Sequence, residues 1–125
     1  MLRTEHRLDV SDVGDVSVAR FRDKKIMEDP GIQEIGRELF DLVERDNRKK
    51  VLLDFSEVSF MSSAALGKLI TLYKKSHTNG SDLKLCGIRP EIIDIFAVTR
   101  LDRLFDIRTD RSDGLVAFEA GGQVA

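Results

Sequence analysis

The sequence predicts an α/β fold: one domain spanning residues 1–125, with a mixed, mostly parallel β-sheet flanked by about four helices. Three observations carry this. Strand-like and helix-like patterns alternate along the chain. Val51 to Phe55 is an apolar run broken only by Asp54, as a strand covered on both faces reads in a parallel sheet. Ile32, Ile35, Leu39, Leu42 and Val43 recur at helical spacing, so Ile32 to Arg45 is an amphipathic helix with a charged outer face.

In chain order, a weak strand around Arg7 to Val13 precedes a stronger one carrying Val16, Val18, Ala19 and Phe21. Arg22 to Gly31 is polar apart from Ile26 and Met27, and Pro30-Gly31 punctuates it as a loop. After the first helix, Asp46-Asn47 and the basic trio Arg48, Lys49 and Lys50 mark its end. Beyond Val51 to Phe55, a second helix runs from about Ser63 to Thr78, with Leu66, Leu69, Ile70 and Tyr73 on one face. Asn79-Gly80 closes it. Leu83, Leu85 and Ile88 alternate as a strand, and Pro90 opens a third helix whose buried stripe is Ile92, Ile93 and Phe96. Leu104 to Ile107 reads as a last strand. Ser112-Asp113 caps a short helix through Phe118, and residues 119–125 read as a flexible tail.

Charge and composition exclude several functions. Lys plus Arg is 20 against 22 for Asp plus Glu, a net charge of −2, which offers no field for nucleic acid or an anionic membrane. No apolar run has the length of a membrane span, and Met1 to Val10 is too charged for a signal peptide. Cys86 is the single cysteine, so no intrachain disulfide forms, which suits a reducing cytoplasm.

The segment from Asp54 to Gly67 is the informative one. It leaves a buried strand, crosses a polar turn, and passes through Phe60 and Met61 into Ser62 and Ser63 at a helix start. Either serine can serve as an N-cap. A hydroxyl there also suits phosphorylation, because free N–H groups and the macrodipole tolerate an added anion. The two roles are compatible. Met61 fits a core or an interface equally well.

This stretch resembles the signature of the STAS domain family, as found in anti-sigma factor antagonists. In that signature a strand V-L-D-L-S is followed by V-x-F-x-D-S-S-G-L-G. Here these stand as Leu52-Leu53-Asp54-Phe55-Ser56 and as Val58 to Gly67. Leu83 to Ile88 is similar to the family's next strand, and Thr99 to Ile107 to its T-x-L-D-x-L-F-x-I segment, so the likeness covers residues 16–118. The resemblance implies a non-enzymatic cytoplasmic regulator that switches partners and needs no cofactor or metal. It would bind an anti-sigma factor that is also a serine kinase, and a cognate phosphatase would reset it. Carried over by position, the phosphoacceptor falls on Ser63, with Ser62 as the alternative. The partner surface falls on Met61, Ser62, Ala64 and Leu66, with Glu28 nearest an acidic position before the first helix. Ser62 stands where the family usually has Asp, and Ala64 and Ala65 where it has a small polar residue and glycine. These departures bear on the switch rather than the fold. Self-association stays open.

Two rival readings concern the same region. A STAS scaffold or small-ligand module without a phosphoswitch would keep the fold, but no Gly-rich phosphate cradle is present. A response-regulator receiver would use Asp54 at a strand end as its phosphoacceptor. Its Mg²⁺-binding acidic pair is missing, since Asp9, Asp12 and Asp15 are spread out. His6 and His77, with one cysteine, make no metal-ligand spacing.

Overall fold

A computed structural model describes residues 6–27 and 31–122. The chain opens with a hairpin, β1 (Leu8–Val13) and β2 (Val16–Phe21), paired antiparallel. There follow β3 (Lys25–Ile26), α1 (Gly31–Glu44), β4 (Lys50–Asp54), β5 (Phe60–Met61), α2 (Ser63–Thr78), β6 (Asp82–Cys86) and α3 (Pro90–Val98). A 3₁₀ turn at Leu101–Arg103 then leads to β7 (Asp106–Arg108) and α4 (Arg111–Gly122). The main sheet runs β1-β2-β4-β6-β7 and is parallel from β2 onward, while β3 and β5 form a separate parallel pair. The mixed, mostly parallel sheet with four helices is the architecture expected from the alternation of patterns.

Strand β4 sits at the centre and explains its own apolar run. Val51 and Leu53 join the large core formed with α1, α2 and α3, whereas Leu52 packs with Val16, Val18, Cys86 and Phe118 beneath α4. All three side chains are buried. On α4, Gly114 lets the helix lie directly on the sheet, since a Cβ there would fall 2.6 Å from Leu52 Cδ1. On α2, Leu66 and Leu69 are buried and Ile70 and Tyr73 pack half-buried against the core; Leu72, outside the expected face, is fully buried too.

Several expectations need correction. The stretch read as a loop from Arg22 contains β3, held by Ile26, which is buried; two residues are too few to show a period. Strand β6 stops at Cys86 because Gly87 takes a positive φ of 70°, so Ile88 packs on the core from outside the strand. Leu104 and Phe105 follow the 3₁₀ turn, and the last strand starts at Asp106. The cap of α4 is Asp110, whose Oδ1 accepts from Asp113 N at 2.9 Å, and not Ser112-Asp113. That helix continues through Gly122, beyond the expected start of the tail, and residues 123–125 lie outside the described residues.

Candidate functional site

The start of α2 is built by the small β3–β5 pair. Ser59 N and Phe60 N both donate to Lys24 O, at 2.7 and 3.2 Å, and Ser62 N donates to Ile26 O at 2.9 Å. These bonds fix where the helix begins. Ile26 and Met61 face each other and point inward, so the same register turns Lys25 and Phe60 outward.

Ser62 is the N-cap. Its backbone is extended (φ −80°, ψ 168°), and its Oγ accepts from Ala65 N at 3.2 Å. Ser63 is the first helical residue, exposed, and its hydroxyl has no partner among the described residues. The two serines thus divide the roles that either could have taken. Ala64 is also exposed, and the first turn carries no acidic side chain of its own to offset the positive end of the helix dipole.

The expected partner surface is only partly assembled. Ser62, Ser63 and Ala64 lie together at the helix start, but Met61 and Leu66 are 4% and 7% exposed and fill the core, so neither presents a side chain there. Glu28 lies outside the described residues. Two apolar side chains the sequence reading passed over do face solvent here, Met27 at 45% and Phe60 at 41%. Met27 follows the strand residue whose carbonyl holds Ser62, a neighbourhood visible only once β3 and β5 pair. Lys24 and Lys25 are exposed beside them, without an ion pair among the described residues.

Asp54, the rival phosphoacceptor, is already committed. It is buried at the end of β4, where Oδ1 accepts from Ser56 N at 2.9 Å and Oδ2 from Arg111 Nη2 and Nε at 2.7 and 3.2 Å. Burial alone would raise its pKa, but the Ser56 N–H and the Arg111 guanidinium hold the carboxyl below its ordinary value. Gly87 makes room for it: a Cβ there would stand 3.0 Å from Asp54 Oδ1 and 3.2 Å from Ser56 N. Asp9, Asp12 and Asp15 pair instead with Arg20, Arg48 and Lys50, away from this carboxylate. Among the described residues no group of three His, Cys, Asp or Glu side chains could hold a metal ion. The Cys86 thiol is buried, and burial, with Asp54 nearby, pushes its pKa up to about 12, leaving almost no thiolate at neutral pH. No described helix is long and apolar enough to cross a membrane.

Comparison with known proteins gives a match to the STAS domain over residues 31–114. The chain is 24% identical over 87 residues to BtrV of Bordetella bronchiseptica, described as an anti-sigma factor antagonist, covering 70% of this chain and 74% of that protein. Among solved structures, one from Thermotoga maritima, also described as an anti-sigma factor antagonist, superposes with a TM-score of 0.78 at 20% identity. That alignment covers 90% of this chain and 94% of the other. A serine-to-glutamate variant of RsbS from Moorella thermoacetica gives a TM-score of 0.76 at 20% identity, over 94% of this chain and 99% of that one.

Proposed function

The chain belongs to the STAS domain family, and from that premise we propose that it is a cytoplasmic partner-switching regulator of the anti-sigma factor antagonist kind. In this reading it acts by binding, not by catalysis. Its partner is an anti-sigma factor with serine kinase activity, which phosphorylates Ser63, and a phosphatase restores the hydroxyl. The observation that carries the reading is the division between the two serines: Ser62 serves as the cap, and Ser63, one residue on, is exposed with no hydroxyl partner among the described residues.

The physics of such a switch is local. Unmodified, the surface offers the apolar Met27 and Phe60 beside small groups and the positive end of α2. Phosphorylation would add roughly −1.5 to −2 charge at neutral pH. A partner that buried this surface would then have to dehydrate a dianion, so affinity falls.

The test uses two substitutions. Ser63→Ala should keep the fold and bind the partner constitutively. Ser63→Asp should be as stable or more so by about 0.3–1 kcal/mol, because a carboxylate suits a helix N-terminus. Yet it should bind the partner about tenfold more weakly or worse, roughly 1.4 kcal/mol. Denaturant titration and calorimetric binding together check this, since a capping role alone would not move stability and affinity in opposite directions.

A further inference from the structure

Among the described residues, α4 is the one helix on its face of the main sheet, whereas α1, α2 and α3 share the larger core on the other. Its hold there is narrow. Of its large side chains, Phe118 is buried with Val16, Val18, Leu52 and Cys86, Leu115 packs half-buried at the edge of that cluster, and Val116 is exposed. Two polar ties add to this. Arg111, itself 43% exposed, donates to Asp54 Oδ2 at 2.7 and 3.2 Å, and Lys84 Nζ lies 4.7 Å from the centre of the Phe118 ring. Lys84 is 9% exposed and bonds Asp106 at 2.9 Å, so docking of Phe118 over it keeps a charge from water. The helix is also weak in itself: Gly114 sits in its interior and Gly121-Gly122 end it. Its caps are local, from Asp110 Oδ1 to Asp113 N and from Asp113 Oδ2 to Thr109 N. Just before it, Thr109 O accepts from Gly87 N at 3.2 Å, which pins the chain beside the end of β6.

We propose that α4 is a releasable cover: it leaves the sheet as a unit from a hinge at Asp110, while the sheet, α1, α2 and α3 stay folded. Release bares an apolar strip across β2, β4 and β6, made of Val16, Val18, Leu52 and Cys86. Three features set the balance close enough for this. The apolar contact given up is centred on one phenylalanine, so little burial is lost. Lys84 returns to water, which offsets part of that loss. Arg111 already faces water in the docked state, so parting from Asp54 strands no buried guanidinium. Once off the sheet, a helix of twelve residues is too short to persist alone, so undocking and melting go together. The larger core, built from the other three helices, does not depend on α4.

Native-state hydrogen exchange of the full chain, followed by NMR in low urea, tests this. The amides of Leu115 to Phe118 should exchange through an opening with about half or less of the urea dependence shown by Val51 to Leu53, because that opening exposes little surface. Gly114→Ala supplies a second reading. Alanine is the better helix former, yet its Cβ would stand 2.6 Å from Leu52 Cδ1 and 2.9 Å from Cδ2, and Leu52 is fully buried. The variant should therefore shift Leu115 to Phe118 toward random-coil positions while the amides of α1 and α2 keep theirs. Cys86, buried under α4 in the parent, should react with dithiobis(nitrobenzoate) roughly tenfold faster or more in the variant. Equal urea dependence for α4 and β4, a Gly114→Ala protein that unfolds throughout, or one that keeps α4 docked and Cys86 protected would each overturn the proposal.

Discussion

Leu53→Ala should lower the unfolding free energy by about 2–5 kcal/mol, the cost of emptying a well-packed core site. Leu53 has no exposed surface and lies mid-strand in β4, with Ala19 of β2 on one side and Leu85 of β6 on the other. Above it pack the helices of the larger core, which can collapse into the void only by moving relative to the sheet. Total stability for a domain of this size is typically about 5–15 kcal/mol, so this one change removes a large share. Denaturant titration reads it directly. A loss below about 0.5 kcal/mol, as surface positions give, would contradict the central placement of β4.

Asp54→Ala should cost about 1–3 kcal/mol at neutral pH. The loss has two parts: Ser56 N–H is left without its acceptor, and the Arg111 bonds that tie α4 to the end of β4 disappear. Arg111 is 43% exposed and can turn to water, which keeps the figure below that for stranding a buried charge. The pH dependence has a definite sign. The folded carboxyl sits below its ordinary value, so its contribution is complete above the unfolded pKa of about 3.9 and is lost as pH falls through the lower folded value. The gap between parent and variant should therefore be widest near neutrality and close in acid. A gap independent of pH would mean that the lost interaction was packing and not charge.

Much of this was legible from the residues, and the misses have physical causes. The run Val51 to Phe55, broken only by Asp54, announced a strand covered on both faces, because Val51, Leu53 and Phe55 join one core and Leu52 the other. The span Ser63 to Thr78 was legible because an N-cap serine and Asn79-Gly80 bracket it. Met61 and Leu66 were read toward the partner surface, yet their direction depends on β5 pairing with β3, a contact between segments more than thirty residues apart. No period within either segment encodes that pairing, and the same pairing hid Met27. The choice between Ser62 and Ser63 was open for a similar reason: both residue types suit a cap, and only the backbone angles at Ser62 show which one serves. Asp110 was passed over as the cap of α4 because Ser112 and Asp113 offered the same chemistry two and three residues later.

The proposed switch rests on one hydroxyl, and its modification is the measurement that tests it most directly. The chain would be incubated with its anti-sigma factor kinase partner and ATP, digested, and mapped by phosphopeptide mass spectrometry, with Ser63→Ala and Ser62→Ala run alongside. The expected result is a single phosphate on Ser63, retained in Ser62→Ala and absent from Ser63→Ala, because Ser63 is exposed and its hydroxyl has no partner among the described residues, whereas Ser62 caps the helix. Phosphate on Ser62 would mean that the kinase displaces the cap to reach its substrate. Phosphate on neither serine, with Ser63→Asp binding the partner as the parent does, would contradict the switch and leave a STAS scaffold that works without one.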